Sequence, residues 1–140
     1  RGWALGWGMG FTLGVKLAWP DRPVLATIGD GAALYGIQAL WTAAHYNLPA
    51  IWLIANNREY RILKTCCEVM DLADALECPI GLEVAGPQVD FVALAGSFGV
   101  EARRADSLSE LEELLRWAWN LGKPVLIETP LIHPRDPSER

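Results

Sequence analysis

The hydrophobic positions of this chain follow strand and helix periodicities in turn. Residues 24–28 form a short apolar run that predicts a buried parallel strand, apolar on both faces, which ends just before Asp30. The next segment predicts a helix with four apolar residues on one face: Ile37, Leu40, Trp41 and Ala44. Residues 50–55 predict a second buried strand. A strand, a helix and a strand of these lengths predict a βαβ unit.

The second half of the chain continues the same alternation. Residues 90–98 predict a helix, and residues 100–105 predict a short strand. Ser107 begins a capping-box pattern, and the helix that follows has four apolar residues on one face: Leu108, Leu111, Leu115 and Ala118. Residues 125–129 predict a last strand, whereas residues 65–88 have no clear pattern. The fold class is therefore α/β, with a mostly parallel sheet and helices on both faces.

The length of 140 residues suits one domain. We expect this domain to span residues 1–132, followed by a polar tail with two prolines over residues 133–140. The uncharged run from Gly2 to Val15 is too short to span a bilayer and too rich in glycine for a signal-peptide core. Because the chain starts at Arg1 rather than at Met, we expect it to come from within a larger protein.

Composition and charge exclude several classes of protein. With 51% hydrophobic residues and no low-complexity run, the chain is not intrinsically disordered. A net charge of −5 does not suit a nucleic acid as partner. Three cysteines, an odd number, do not fit a secreted disulfide scaffold, so we expect reduced thiols and a cytoplasmic protein. Seven tryptophans are too many for an exposed surface, so we expect some in the core and others beneath a partner.

Two polar side chains follow the two strands of the predicted βαβ unit. Asp30 comes directly after the first strand, and Asn57 follows the second, 27 residues later. Because neighbouring parallel strands run about 4.8 Å apart and end at the same sheet edge, we expect these side chains to converge. One carboxylate with neutral oxygens is a suitable partial ligand set for Mg²⁺. Gly29 and Gly31 let the backbone approach a bulky anion beside the next helix, so the pattern predicts a site for Mg²⁺ and diphosphate.

Each of these two motifs alone has a simpler interpretation. A Gly-Asp-Gly sequence after a strand is often only a turn, and an Asn-Asn sequence before a helix is often only a cap. Here both occur together, at the ends of two strands that are one βαβ unit apart. Their combination favours a binding site over two unrelated turns.

The complete pattern resembles the diphosphate-binding motif of thiamine diphosphate-dependent enzymes. It consists of the Gly-Asp-Gly motif, 24 further residues and the Asn-Asn motif. Residues 39–49 and the glycine-rich residues 5–9 are especially similar to the benzoylformate decarboxylase branch and to its 2-oxo acid decarboxylase and acetolactate synthase relatives. The resemblance covers nearly the whole chain. It implies a thiamine diphosphate-binding fold, with thiamine diphosphate and Mg²⁺ as cofactors.

The resemblance also implies a role for each matching residue. The Mg²⁺ ligands would be the side chains of Asp30 and Asn57 and the backbone oxygen of Glu59. The rest of the cofactor would be bound by Trp3, Leu5, Gly29, Gly31, Ala32, Tyr35 and Tyr60. The substrate end of the site would be lined by Ile62, Leu63 and Cys66. Ala32 and Trp3 depart from the family pattern, in which serine and glycine are usual at these positions.

The implied activity is that of a lyase that decarboxylates a small-molecule 2-oxo acid, with this chain as its diphosphate- and Mg²⁺-binding domain. In the family, a glutamate of a separate pyrimidine-binding domain, usually on another subunit, activates the cofactor. We expect that domain to lie outside this chain. The chain would then contain no catalytic residue and would be inactive alone, and the complete enzyme would be a homodimer or homotetramer.

Two alternatives to this interpretation remain open. One is the corresponding domain of an acetolactate synthase-type carboligase, which shares the cofactor. The other is a non-catalytic scaffold domain with the same fold. A scaffold has no need to retain Asp30 and Asn57 together with Leu5, Tyr35 and Tyr60, so the motif residues favour the enzyme.

The other reactive side chains are not expected to take part in catalysis. His45 and His133 have no serine or cysteine partner at a catalytic spacing, and the three cysteines lack the paired spacing of a zinc site. Trp117 is interpreted as a packing residue, and Arg103 and Arg104 as a solvated corner. The glycines at the start of the chain do not fit the dinucleotide-binding fingerprint.

Overall fold

A parallel sheet of four strands forms the centre of the computed structural model, which describes residues 4–78 and 80–131. The strands are β1 (Leu25–Gly29), β2 (Ile51–Asn56), β3 (Glu101–Arg104) and β4 (Val125–Pro130). The helices in the described residues are α1 (Trp7–Ala18), α2 (Asp30–Leu34), α3 (Ala39–His45), α4 (Arg61–Val69), α5 (Ala73–Glu77), α6 (Phe91–Ser97) and α7 (Leu108–Leu121). The predicted α/β class is confirmed.

The order of the strands places the two motifs side by side. The sheet has the order β1-β2-β4-β3, and every neighbouring pair is parallel. In the first pair, Leu25 lies opposite Ile51 and Gly29 lies opposite Ala55. The two strands therefore end at the same edge, and Asp30 and Asn57 follow directly from it. The predicted βαβ unit is confirmed.

Helices cover both faces of the sheet. On one face, α1, α3 and α6 pack against the central strands, and this core cluster includes the fully buried Trp52, Leu40, Met9 and Phe91. On the other face, α7 packs over Ile51, Val125 and Ile127. The apolar content of the chain thus fills two layers of core around β2 and β4.

The strand β1 differs from its prediction as a strand buried on both faces. It is an edge strand, and alternate residues from Leu25 to Gly29 are exposed, with Leu25 itself 43% exposed. The cause is the position of α7, which covers the half of the sheet that contains β2 and β4. The sequence of β1 has no alternation of apolar and polar residues. It therefore did not indicate that the described residues cover only one face of this strand.

The predicted apolar face of α3 packs on the core except at Trp41. Leu40 is fully buried as predicted, but Trp41 is 53% exposed and stacks on His45 at a centroid distance of 4.8 Å. Residues 35–38 form turns between α2 and α3, so Ile37 lies before the helix begins. Ile37 and Ala44 are nevertheless partly buried against the same core cluster as Leu40, and Ala39 and Ala43 are buried with it.

The helix α7 begins and ends where the sequence predicts. The Ser107 hydroxyl accepts a hydrogen bond from the Glu110 N–H, and Gly122 ends the helix with a left-handed φ of 66°. Leu108 is 86% exposed, so its predicted place in the core is wrong. It lies in the first turn, ahead of Leu111, where the contact of this helix with the core begins.

Arg103 and Arg104 are exposed at the end of β3, as predicted, and each also has a defined partner. The Arg104 guanidinium binds Asp106 at 2.7 Å and lies 3.7 Å from the buried Glu128 carboxylate. Arg103 lies over the ring of Trp117, 4.1 Å from its centroid. Each arginine is therefore held by a neighbour across the end of the sheet.

Some expectations fall on positions beyond the described ranges. Trp3, His133 and the tail over residues 133–140 are among them. The domain boundary at residue 132 stays a prediction. Within residues 65–88, which had no clear pattern, the structure has the end of α4 and the short helix α5.

Close contacts fix the start of α1 against the turn after α2. Gly6 precedes α1 with a left-handed φ of 86°, and a Cβ at this position would lie 2.6 Å from the Tyr35 Cβ. A Cβ on Gly36 would lie 2.6 Å from the carbonyl oxygen of Gly6. These two glycines let the chain before α1 cross the turn after α2.

We predict opposite effects for two glycine substitutions in this region. Gly6→Ala should lower the free energy of unfolding by at least about 1–2 kcal/mol, because the left-handed backbone disfavours a side chain and the methyl group would overlap Tyr35. Gly10→Ala, in α1 with no atom within 4 Å of the added Cβ, should raise it by about 0.5–1 kcal/mol. Urea unfolding of the intact protein measures both, and equal effects would contradict the contact.

Candidate functional site

The carboxylate of Asp30 is buried at the point where β1 ends. Asp30 is the first residue of α2 and is 2% exposed. Burial raises the pKa of this carboxyl above its ordinary value, while the backbone N–H groups of Gly31 and Arg58 lower it by less. Its Oδ2 atom is buried without a hydrogen-bond partner. A buried acceptor of this kind is costly unless a ligand, water or metal ion satisfies it.

The turn after β2 lies next to this carboxylate. The backbone N–H groups of Asn57 and Arg58 both interact with Asp30. Within the turn, the Asn57 Oδ1 atom accepts a hydrogen bond from the Glu59 N–H at 3.2 Å, and Arg58 has a left-handed φ of 59°. The predicted convergence of the two strand ends is therefore present in the structure.

A short antiparallel pairing orients the backbone of Glu59. The Tyr60 N–H donates to the Leu82 oxygen and the Val84 N–H donates to the Arg58 oxygen, both at 2.8 Å, so Glu59 and Glu83 form an isolated bridge. In a pair of this type, the N–H and C=O groups of the central residue point away from the partner segment. The Glu59 carbonyl therefore faces away from residues 82–84, on the same side as its N–H, which contacts Asn57.

The side chain of Glu59 is directed to α4. Its Oε2 atom lies 2.6 Å from the Lys64 Nζ atom, which also approaches Glu83 at 3.3 Å. The hydrogen bond to Glu59 is the main reason that the pKa of Lys64 is raised. This half-buried ion pair ties the first turns of α4 to residue 83. The backbone oxygen of Glu59 therefore lies on the side of its N–H group, which donates to Asn57, and away from this ion pair with residue 83.

Two tyrosines lie over the start of α2. A Cβ on Gly31 would collide with the Tyr60 ring, whose Cδ1 atom would be 2.9 Å away. Tyr60 contacts Tyr35 edge to face at a centroid distance of 6.5 Å. Burial, followed by the hydrogen bond to Tyr35, raises the pKa of the Tyr60 hydroxyl. Gly31 therefore permits the aromatic ring to approach the backbone next to Asp30.

An open cleft of about 310 Å³ borders the exposed face of β1. It brings together three of the predicted cofactor residues, Leu5, Gly29 and Ala32. Its other lining residues belong to the segment before α1, to the first turn of α1 and to β1: Ala4, Gly6, Trp7, Gly8, Thr27 and Ile28. Leu5 is 47% exposed there, so its side chain is accessible to a bound molecule.

The predicted substrate residues are less close to this cleft. Ile62, Leu63 and Cys66 all lie on α4 and are exposed, with Ile62 66% exposed. None of them lines the cleft beside β1. They follow directly after Tyr60, so they share the side of the molecule that holds the turn after β2.

The described residues fit a metal ion bound by few charged ligands. They contain no group of three or more histidine, cysteine, aspartate or glutamate side chains that could hold a metal ion. A cation here would depend on the Asp30 carboxylate and on neutral oxygens, which is the chemistry that Mg²⁺ uses with a phosphate ligand. Among the same residues, no helix is long and apolar enough to span a membrane.

A buried pair that the sequence did not indicate supports the turn after β2. The Asn56 Nδ2 atom donates to the Glu128 Oε1 atom at 2.7 Å, and the Asn56 Oδ1 atom accepts the Arg58 N–H at 3.1 Å. Asn56 and Glu128 are 72 residues apart in sequence and are brought together by the pairing of β2 with β4. The one sequence signal was the single acidic residue in an otherwise apolar strand, residues 125–129.

Comparisons with known proteins identify one family over most of the chain. Residues 3–129 match the family model described as "Thiamine pyrophosphate enzyme, C-terminal TPP binding domain", in which thiamine pyrophosphate (TPP) is another name for thiamine diphosphate. Benzoylformate decarboxylase of Pseudomonas aeruginosa is 44% identical over 126 residues, which are 90% of this chain and 23% of that protein. A probable acetolactate synthase large subunit of Methanococcus aeolicus is 32% identical over 124 residues, which are 89% of this chain and 20% of that protein.

A solved structure is similar over the same part of the chain. The thiamine diphosphate-dependent 4-hydroxybenzoylformate decarboxylase of Rhodococcus jostii superposes with a TM-score of 0.81 and 39% identity. The superposition covers 89% of this chain and 22% of that one. This chain therefore spans between 20% and 23% of the length of these three relatives.

We predict that the two glycines around Asp30 respond differently to an added methyl group. Gly31→Ala should destabilise the ligand-free intact protein, because the Cβ overlaps the Tyr60 ring. Overpacking of this kind costs about 1–3 kcal/mol. Gly29→Ala should change stability little, because its backbone is extended and no atom lies within 4 Å of the added Cβ.

Thermal unfolding without Mg²⁺ or thiamine diphosphate measures both substitutions. The double variant with Gly31→Ala and Tyr60→Ala should recover part of the stability lost, because it removes the ring that the methyl group meets. A loss in Gly29→Ala as large as that in Gly31→Ala would contradict the close approach of Tyr60.

Proposed function

Because this chain belongs to the family of C-terminal TPP binding domains of thiamine pyrophosphate enzymes, we propose that it binds thiamine diphosphate through Mg²⁺ at the carboxyl ends of β1 and β2. The observation that carries this proposal is the buried, unpartnered Oδ2 atom of Asp30 beside the turn of Asn57. A divalent cation supplies the partner that this atom lacks. It also offsets the cost of burying the charged carboxylate.

Three groups of this chain would hold the metal ion. They are the carboxylate of Asp30, the side-chain oxygen of Asn57 and the carbonyl oxygen of Glu59. The direction of the Glu59 backbone supports its part, since the pairing with residue 83 turns its C=O away from residues 82–84. Mg²⁺ prefers six oxygen ligands, so the diphosphate and water would fill the other positions.

The cofactor residues divide between two parts of the site. Gly29, Gly31, Tyr35 and Tyr60 would contact the diphosphate, because they surround the start of α2. Leu5, in the cleft beside β1, would lie between the two rings of the cofactor. Ala32 would lie near the phosphate groups, where the serine usual in the family would add a hydrogen bond. We also propose that Trp3 accepts a hydrogen bond from the cofactor through its backbone carbonyl.

We propose decarboxylation of a 2-oxo acid as the activity of the complete protein. Bound thiamine diphosphate supplies a nucleophilic carbon and an electron sink for that reaction. The residues of this chain would fix the cofactor and exclude water from one side of it, and Ile62, Leu63 and Cys66 would meet the substrate. The similarity to benzoylformate decarboxylase supports an aromatic 2-oxo acid as substrate.

The rest of the active site would come from other parts of the protein. We propose residues 1–132 as the diphosphate-binding domain, with the activating glutamate on a pyrimidine-binding domain of another subunit of a homodimer or homotetramer. The open cleft and the exposed face of β1 support a covering domain at this place. We further propose a cytoplasmic location, because Cys66, Cys67 and Cys78 are all free thiols.

A carboligase is the second candidate for the activity. The similarity to an acetolactate synthase large subunit favours it, because the chain covers the same region of that protein. Both activities use the cofactor site in the same way, so the residues around Asp30 do not separate them. A scaffold without catalysis is less well supported, since it would have no use for a buried unpartnered carboxylate.

Cofactor binding is tested by thermal shift of the intact protein with thiamine diphosphate and Mg²⁺. We predict a rise in the melting temperature of wild type that Asp30→Asn abolishes, because the amide lacks the charge that attracts the cation. Asp74→Asn is the matched control, since Asp74 is an exposed carboxylate on α5, and it should retain the full shift. An equal shift in wild type and Asp30→Asn would contradict the proposed metal site.

The activity is tested by product analysis of the intact protein with two substrates. We predict release of CO₂ and formation of benzaldehyde from benzoylformate, and loss of both in Asp30→Asn. Formation of acetolactate from pyruvate, with no turnover of benzoylformate, would favour the carboligase instead. Absence of both activities in a protein that binds the cofactor would favour the scaffold.

A further inference from the structure

The carboxylate of Glu128 is buried at the carboxyl end of β4 with a defined set of partners. It is 2% exposed, and its Oε1 atom accepts a hydrogen bond from the Asn56 amide at 2.7 Å. The same oxygen lies 3.7 Å from the Arg104 guanidinium, on the neighbouring strand β3. A carboxylate buried to this extent is costly unless partners of this kind satisfy it.

This carboxylate and the Arg58 N–H group together fix how the Asn56 amide is oriented. An amide group can be turned over to exchange its oxygen and its nitrogen, and only its hydrogen-bond partners decide between the two orientations. A carboxylate accepts hydrogen bonds but does not donate them, so Glu128 requires the Nδ2 group of Asn56. The Oδ1 atom of Asn56 is thereby directed to the Arg58 N–H at 3.1 Å.

The hydrogen bond to Arg58 acts on the proposed metal site. Arg58 has a left-handed φ of 59°, a backbone conformation that is unfavourable for a residue with a side chain and persists only where neighbours hold it. Its N–H group also interacts with the Asp30 carboxylate. Asn57 and Glu59, on either side of Arg58, are the two proposed ligands from this turn. The turn is therefore held between Asn56 on one side and Asp30 on the other.

We propose that Glu128 is a positioning residue for the Mg²⁺–diphosphate site, acting through Asn56 on the turn of residues 57–59. It does not touch the metal ion or the cofactor. The proposal rests on the proposed function, because it assumes that this turn supplies metal ligands. Residues that orient metal ligands through hydrogen bonds typically raise the metal affinity by a factor of about 10–100.

Three substitutions separate positioning from general stability. Glu128→Ala removes the acceptor, whereas Glu128→Gln keeps an oxygen that can still accept from Asn56. Ile127→Val is the matched control. Ile127 is the adjacent fully buried residue of β4 but packs in the other core cluster, so its truncation lowers stability without touching Asn56. If Glu128→Ala does not fold, Asn56→Ala removes the same link and leaves Glu128 its contact with Arg104.

The first measurement is the affinity of the intact protein for Mg²⁺ at saturating thiamine diphosphate, by calorimetry. We expect Glu128→Ala, or Asn56→Ala in its place, to weaken binding about 10- to 100-fold. Glu128→Gln should restore most of the affinity, and Ile127→Val should leave it unchanged. Wild-type affinity in Glu128→Ala, or equal weakening in Ile127→Val, would overturn the proposal.

The second measurement needs no cofactor. Amide hydrogen exchange of the ligand-free protein should be faster at Arg58 and Glu59 in Glu128→Ala, and unchanged there in Ile127→Val. Unchanged exchange at both amides would overturn the proposal while leaving the proposed function standing. A wild-type protein that binds neither Mg²⁺ nor thiamine diphosphate would instead contradict the proposed function, and this inference with it.

Discussion

The parallel pairing of β1 with β2 places the Asp30 carboxylate against the backbone of the turn after Asn56, and the arrangement of the site follows from this contact. The carboxylate is buried, so it needs partners, and the turn gives it N–H groups but leaves one oxygen without any. Gly31 lets Tyr60 close over the same position. A protein that kept this arrangement without a cation would retain a buried acceptor at a cost, with no gain in stability.

Much of this site was predictable because its main residues follow strands that the sequence marks clearly. Two apolar runs with Asp30 and Asn57 at their ends are local patterns, and parallel pairing converts them into one location. Which faces are covered is not local. The apolar sequence of β1 predicted burial on both sides, yet α7 lies over β2 and β4, so one face of β1 stays exposed.

The least predictable part of the site is the set of residues that hold the turn after β2 in place. Asn56 was recognised as half of a motif, but its partner Glu128 lies 72 residues away and is identified only by the register of β2 and β4. The pairing of Glu59 with Glu83 was not predictable either, because Glu83 lies in residues 65–88, which have no periodic pattern. Spacing along a chain indicates which groups meet a ligand, whereas the groups that orient them depend on the assembled sheet.

The central claim is that the ends of β1 and β2 hold a divalent cation that carries a diphosphate. A crystal structure of the intact protein with Mg²⁺ and thiamine diphosphate tests it most directly. We predict the cation about 2.0–2.1 Å from the Asp30 Oδ2 atom, the Asn57 Oδ1 atom and the Glu59 carbonyl oxygen, with the diphosphate on its open side. A cofactor bound elsewhere, or a cation that does not contact Asp30, would contradict it.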